Sequence, residues 1–305
     1  MAEIAVTQAA FAGFGVLRRR PWAPIVWSVL YVGVMSGAIL ILGAAFLKAL
    51  GKLATLGPHS TVKPTEILDL LAGVAGGYVL LIAVAWVTSA VINMAVVRAV
   101  LEPEAGAFAY LRLGPAELWL MLANFVLYIL YLFVSMVLAI PVSIASAIAV
   151  MNWRDAAPFV SLPMQLITWA VTIWLGLRFC MVAPMIFSER RFRLFESWSF
   201  TRGHVWRLFG VGVVAVLATA VVYVALAAVG LAVAWPMVGQ LTSLGTPQAF
   251  FAQSPQQIWN ELAPFMLLYA ALICVGSTVL LPVFFAPWPE AYRQLTRGAL
   301  ATTFG

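Results

Sequence analysis

The chain alternates between long apolar segments and short polar connections. Six apolar segments are each longer than the roughly 20 residues that cross about 30 Å of hydrocarbon as a helix. They cover residues 22–46, 70–97, 118–150, 159–187, 208–235 and 264–286. The pattern predicts an all-α integral membrane protein whose six transmembrane helices form a single transmembrane domain over residues 1–305.

Positive charges are divided unevenly between the two sets of connections. One set carries most of the arginines, namely Arg18, Arg19, Arg20, Arg98, Arg112, Arg190, Arg191, Arg193, Arg202, Arg207, Arg293 and Arg297. The other set carries only Lys48, Lys52, Lys63 and Arg154. Because cytoplasmic connections keep an excess of arginine and lysine, we expect the arginine-rich connections and both chain termini to be cytoplasmic.

Three short segments with aromatic residues, arginine and glycine precede the odd-numbered spans. They are residues 11–18, 108–114 and 198–203. This repeat predicts three transmembrane hairpins, each preceded by a short cytoplasmic amphipathic segment, the first of which occupies residues 1–20. Such a segment either lies on the inner leaflet or covers the inner end of the bundle, since both placements select the same apolar face. Both interpretations remain open from the sequence.

Composition excludes a water-soluble fold and argues against several kinds of site. Hydrophobic residues make up 64% of the chain and charged residues 9%, whereas about 25% of a soluble domain is charged. The net charge of +6 resides in clusters that flank apolar segments, so nucleic acid is not an expected partner.

Cys180 and Cys274 have no second cysteine or histidine at metal-ligand spacing. His59 and His204 are predicted on opposite sides of the membrane. We therefore expect no metal, no other cofactor and no catalytic centre.

Arg178 is the ionisable residue that lies deepest in a predicted span. It precedes the end of the fourth span by nine residues, which places its Cα about 13 Å inside that end. A charge at this depth needs a partner, and the candidates are a lipid phosphate, a carbonyl, or Glu117, Glu196 and Glu290. The alternative is a structural ion pair or a side chain that snorkels to the interface.

Residues around the start of the fifth span form a candidate contact site for lipid headgroups or a partner. Backbone N–H groups at a helix N-terminus bind phosphate, and nearby arginines attract anionic lipid. The candidate residues are Arg178, Arg193, Arg202, Gly203, Trp206 and Arg207. The alternative is that these residues are an ordinary helix start, with arginines that only set the orientation of the chain in the membrane.

Asn93, Asn124 and three of the prolines are candidates for shaping or joining the predicted spans. Asn93 and Asn124 are in the arginine-side halves of the second and third spans, where side-chain amides commonly hydrogen-bond between helices. We therefore predict helix–helix polar contacts for both. Pro141, Pro184 and Pro282 lie within or near span ends, and we expect them to kink the helices there.

The sharpest motif in the chain combines two stretches. Residues 177–184 read Leu-Arg-Phe-Cys-Met-Val-Ala-Pro, and residues 196–209 begin Glu-Ser-Trp-Ser-Phe-Thr-Arg-Gly. The motif resembles a signature of poorly characterised six-helix bacterial inner-membrane families, including the membrane domain that accompanies some glycerophosphoryl diester phosphodiesterases. The resemblance implies an inner-membrane bundle concerned with lipids or envelope organisation. The phosphodiesterase activity of those proteins belongs to a separate soluble domain with no counterpart in this sequence, so hydrolysis is not implied.

These features favour a non-enzymatic, multi-pass protein of the bacterial inner membrane. Its expected partners are membrane lipids, including anionic phospholipid, or a membrane protein to which it is an accessory subunit. The alternative is a small transporter or channel for an apolar or amphipathic solute. That alternative predicts a continuous cavity between the hairpins, near Arg178 or Asn124.

Overall fold

The computed structural model describes residues 4–54, 64–152, 157–242 and 255–304, which are almost entirely helical and contain no strand within these ranges. Six helical regions are long and apolar enough to cross a membrane: Trp22–Ala49, Thr65–Leu101, Phe108–Asn152, Leu162–Glu189, Val205–Val233 and Ala263–Arg297. The predicted all-helical, multi-pass architecture is confirmed at this level. In the connection between the fifth and sixth predicted spans, residues 236–242 and 255–263 are helical, and residues 243–254 lie outside the described residues.

Eleven α-helices make up the described part of the chain. They are α1 (Val6–Ala10), α2 (Ala12–Arg19), α3 (Trp22–Ala54), α4 (Pro64–Leu101), α5 (Pro115–Asn152), α6 (Ala157–Phe179), α7 (Val182–Glu189), α8 (Glu196–Phe200), α9 (Val205–Thr242), α10 (Pro255–Phe285) and α11 (Pro287–Phe304). A single short helical turn, Ala107–Tyr110, lies between α4 and α5.

The spanning helices pack side by side in a ring. The sequence of neighbours is α3–α4–α5–α6–α9–α10, and α10 returns to α3. Helix α4 also contacts α10 directly, while α6 and α9 touch only sparingly. The α6–α9 contact is therefore the loosest seam in the ring.

Buried residues concentrate at one end of the ring, which we call the arginine-rich end because Arg18, Arg98, Arg190 and Arg293 lie there. Three clusters of buried apolar residues form this end, and each joins several helices. Towards the opposite end the spans expose large apolar side chains, including Phe133 and Leu166. Apolar surface of this kind is compatible with lipid, which is as apolar as the side chains themselves.

A buried ion pair joins the end of α4 to the beginning of α5. Pro115 occupies the first position of α5 and Glu117 the third, which suits a proline and a capping carboxylate. The backbone N–H of Gly114 donates to Oε2 of Glu117 at 3.0 Å. The other carboxylate oxygen pairs with Nη2 of Arg98, and the two side chains are only 8% and 1% exposed.

The connection between α4 and α5 is held in an unusual backbone conformation. Phe108, Ala109 and Tyr110 have φ values of 50°, 56° and 63°, a left-handed region that non-glycine residues rarely adopt. The carbonyl of Ala109 accepts a 2.7 Å hydrogen bond from the buried Trp27 indole. The carbonyl of Tyr110 accepts one from Arg98 at 2.9 Å. These two bonds fix the turn against α3 and α4, which offsets its conformational cost.

The N-terminal helices pack onto the bundle. Ile4, Ala9 and Val16 are buried, α1 contacts α9 and α11, and α2 contacts α10. A Cβ added to Gly13 would lie 2.5 Å from the Pro282 carbonyl oxygen and the Val283 Cα. Segment 1–20 was predicted either to lie on the inner leaflet or to cover the inner end of the bundle, and this packing favours the cover. Residues 1–3 lie outside the described residues.

Helix α11 is not anticipated by the hydrophobic pattern, which ends at residue 286. Ala291 and Leu295 are buried against α1 and α9, with Trp288 and Tyr292 partly buried beside them. The spacing of these four residues places them on one face of a helix. Helix α11 therefore adds a second cover at the arginine-rich end.

The fourth predicted span is broken, whereas the helices that contain Pro141 and Pro282 are continuous. Helix α6 ends at Phe179 and α7 begins at Val182. Pro184 has no N–H to offer the carbonyl of Cys180, and its ring crowds that carbonyl, which explains the break. Pro141 and Pro282 lie inside continuous helices.

Gly13→Ala tests the docking of α2. The added methyl group meets backbone atoms of α10, and overpacking of this kind costs about 1–3 kcal/mol. We expect faster amide hydrogen exchange across α1 and α2. Gly15→Ala is the matched control, because a Cβ there has no atom within 4 Å; equal exchange in the two variants would contradict the docking.

Arg98→Met tests the buried ion pair. The substitution leaves Glu117 buried without its cation, and breaking such a pair typically costs about 3–5 kcal/mol. We expect a clear drop in the thermal unfolding midpoint in detergent, partly recovered by adding Glu117→Leu. The control is Glu66→Gln, which removes the exposed Lys52–Glu66 pair and should cost about 1 kcal/mol or less. Equal midpoints for the two single variants would contradict a role for the buried pair.

Candidate functional site

Two cavities meet at the α6–α9 seam. The first, which we call the Arg178 groove, has a volume of about 500 Å³ and is lined by Ala170, Ile173, Trp174, Leu177, Arg178, Val205, Trp206 and Phe209. The second, which we call the interior cavity, has a volume of about 700 Å³ and is lined by residues from α4, α5, α6, α7, α9, α10 and α11. Ile173, Leu177 and Phe209 line both. These three side chains therefore form the partition between the groove and the interior.

Arg178 is held between two indoles. Its Cζ lies 5.4 Å from the Trp174 ring centroid and 5.0 Å from the Trp198 ring centroid, within the range of cation–π attraction. The two rings meet edge to face, with centroids 5.0 Å apart. The guanidinium thus lies between two aromatic rings and also lines the Arg178 groove.

The guanidinium of Arg178 is incompletely satisfied. Nη1 reaches the Trp198 carbonyl only at 3.5 Å, the outer limit of a hydrogen bond. Nε is buried and has no hydrogen-bond partner in the described part of the chain. Arg178 also forms no ion pair with a described residue. Since buried polar groups in proteins are nearly always hydrogen-bonded, this donor points to an acceptor that the chain itself does not supply.

Helix α8 brings Trp198 to Arg178. The Ser197 hydroxyl is buried and donates to the Arg178 carbonyl at 2.8 Å, a carbonyl that lies next to the break between α6 and α7. Trp174 precedes Arg178 by one helical turn, so the two side chains share a face of α6. The spacing of Trp174 and Arg178 could have indicated half of this clamp from sequence, whereas the return of Trp198 depends on the tertiary fold.

The three glutamates expected as partners of Arg178 pair with other arginines instead. Glu117 pairs with Arg98, and Glu290 with Arg293. Glu196 lies 3.4 Å from Arg193. The expectation that one of these three carboxylates pairs with Arg178 is therefore wrong. Each glutamate lies in the first turn of a helix and pairs there with another arginine.

The six predicted headgroup-contact residues do not converge on one site. Arg178 and Trp206 line the Arg178 groove together. Arg193 is engaged by Glu189 at 2.6 Å as well as by Glu196.

The remaining three lie at the beginning of α9. Arg202 and Arg207 are exposed, and Gly203 has a φ of 87°, which allows the chain to turn between α8 and α9. These residues flank the groove rather than line it.

Asn93 and Asn124 both line the interior cavity. Neither side chain hydrogen-bonds to another described residue, so the predicted polar contacts between helices are not formed by these amides in the described part of the chain. A polar contact between spans occurs elsewhere, where the Thr278 hydroxyl donates to the Ser28 hydroxyl at 2.9 Å. The cavity wall therefore carries two amides with free hydrogen-bonding capacity.

The Arg178 groove and the interior cavity each place polar side chains beside an apolar wall. In the described ranges no three histidine, cysteine, aspartate or glutamate side chains lie close enough to hold a metal ion. The Arg178 groove combines one cation with an apolar wall, and the interior cavity combines amides with an apolar wall. Both combinations match molecules that have a polar group and an apolar body.

Comparison of the chain with protein-family models, curated proteins and solved structures finds no significant match.

Proposed function

We propose that this is a non-enzymatic protein of the bacterial inner membrane that binds an anionic amphiphile, such as an anionic phospholipid, in the Arg178 groove. The observation that carries the proposal is the buried, unpartnered Nε of Arg178 beside an apolar groove on the α6–α9 seam. Asn93 and Asn124 are not needed for this binding. The arginine-rich end faces the cytoplasm, together with both termini.

A phosphate group suits the donors of Arg178. Guanidinium N–H groups bind phosphate oxygens in a planar, charge-assisted pair, which would satisfy Nε. The indoles of Trp174 and Trp198 hold the guanidinium beside the groove. Apolar surroundings of this kind strengthen the attraction between the guanidinium and a phosphate relative to water.

The rest of the groove suits an acyl chain. Ile173, Leu177 and Phe209 provide an apolar wall next to Arg178. The Trp206 side chain is 85% exposed at the same groove, as expected for an indole at a membrane interface. Exposed Arg202 and Arg207 near the groove add attraction for an anionic leaflet.

We also propose that the six spans are arranged as three similar hairpins. The pairs α3–α4, α5–α6 and α9–α10 form the three hairpins of a repeat, and short segments at the arginine-rich end precede them. The two helices of each pair are consecutive in the chain and neighbours in the ring, which is compatible with this arrangement. An accessory role beside a membrane-protein partner is compatible with lipid binding, since the exposed apolar faces of the spans leave room for both.

Arg178→Gln tests the proposed lipid site. Loss of a charged hydrogen bond typically costs about 1.5–3 kcal/mol, which corresponds to roughly ten- to hundredfold weaker binding. We expect less phosphatidylglycerol to co-purify with the variant in native mass spectrometry. Arg191→Gln removes the same charge from an exposed position at the same end and serves as the control. Equal lipid content in the two variants would exclude Arg178 as the headgroup site.

A second candidate function is the passage of an amphipathic solute across the membrane. The interior cavity favours it, because a cavity near Asn124 and Arg178 is what a transporter would need. Gly176 lines this cavity, and a Cβ there has no atom within 4 Å.

Gly176→Leu tests passage through the cavity. In proteoliposomes we expect the wild-type protein to translocate an uncharged glycolipid that carries a dithionite-quenchable fluorophore, because the described cavity wall has no charged residue. The leucine side chain would occupy the cavity and slow the translocation. Gly37→Leu is the control, since Gly37 is also unobstructed but lies on α3, which does not line the cavity. Absence of translocation by wild-type protein that still binds lipid would reject transport and leave lipid binding intact.

A further inference from the structure

The interior cavity has a wall of distinctive chemistry. None of the described residues that line it is charged, and most are apolar. The exceptions include Asn93 on α4 and Asn124 on α5, which face the same space. The Cys180 thiol, which also lines the cavity, already donates to the Leu177 carbonyl at 3.0 Å.

The two amides are unpaired yet accessible. Neither side chain hydrogen-bonds to a described residue. The polar atoms of both amides are nevertheless not fully buried, so a ligand in the cavity can reach them. Each amide offers two donor hydrogens and one acceptor oxygen. In apolar surroundings an unpaired amide costs free energy, and a ligand that pairs with it recovers that cost.

We propose that the interior cavity binds an uncharged membrane amphiphile whose hydroxyl or carbonyl group is held by Asn93 and Asn124. The ligand is uncharged because a charge would be buried without a counter-charge on the described wall. Hydroxyl and carbonyl groups both complement an amide, and a neutral glyceride and a quinone are two sources of that chemistry. The volume of about 700 Å³ lies within the range of small-molecule sites.

The α6–α9 seam supplies a route from the lipid. These two helices contact each other least among the neighbours in the ring. Among the described residues, Ile173, Leu177 and Phe209 are the ones that line both the Arg178 groove and the interior cavity. Gly176 and Gly212, which also line the cavity, keep the adjacent interior free of side-chain bulk. The site uses the cavity of the second candidate function but requires neither transport nor an anion at Arg178.

Equilibrium binding to delipidated full-length protein in detergent tests the proposal. The probes are radiolabelled dioleoylglycerol and decylubiquinone, which distinguish a glyceride from a quinone. We expect Asn93→Leu and Asn124→Leu each to weaken binding of the accepted probe by about tenfold, as for one lost hydrogen bond. Asn152→Leu is the matched control, because Asn152 bonds to the Ile148 carbonyl on an exposed surface outside the cavity. Failure of both probes to bind wild-type protein would overturn the proposal.

A stability measurement separates ligand recognition from a structural role. Because the amides have no partner in the described chain, replacing either with leucine should leave the thermal midpoint of the ligand-free protein unchanged or higher. A lower midpoint together with unaltered binding would show that the amides bridge helices, and would overturn the proposal. Arg178→Gln should leave dioleoylglycerol binding unchanged, so failure of the anionic-lipid site and failure of this site are distinguishable. Gly176→Leu should abolish binding, whereas Gly37→Leu should not.

Discussion

The arginine-rich end depends on the buried pair of Arg98 and Glu117. Burial of either charge is tolerable only when the other lies beside it. The pair therefore requires the last turns of α4 and the first turn of α5 to lie side by side. Glu117 also caps α5 through Gly114, while Arg98 fixes the turn through the Tyr110 carbonyl. Asn124 follows Glu117 by seven residues, about two helical turns, and lies on the same side of α5. The pair therefore also sets the direction in which this amide faces.

The bundle combines a tightly packed end with an apolar remainder that depends on lipid. Buried clusters, the covering helices α1, α2 and α11, and most of the ion pairs belong to the arginine-rich end. The Arg178 groove and the interior cavity lie at the boundary between this end and the lipid-exposed half. The two cavities therefore adjoin polar side chains on one side and apolar helix surface on the other.

Sequence reasoning succeeded where a single local property decides the outcome. Six spans follow from the length of apolar segments, and Arg178 is conspicuous as a charge inside one of them. The partners of Glu117 and Trp198 were not predictable, because they depend on a left-handed turn and on the return of α8. The helix contacts predicted for Asn93 and Asn124 do not form between described residues, because sequence does not reveal whether the space between two helices is filled. The hydrophobic pattern does not predict helix α11, because only one face of that helix is apolar.

The position of Trp198, 20 residues after Arg178 in the chain, has a consequence for biogenesis. Arg178 and the Trp198 carbonyl that it approaches are 20 residues apart in the chain. At cellular rates of synthesis, Arg178 therefore emerges about 1–4 s before its second indole. During that interval the guanidinium has Trp174 as an aromatic neighbour but not Trp198. The clamp around Arg178 is therefore completed only after α8 has been synthesised, later than the contacts that α6 makes with the preceding helix α5.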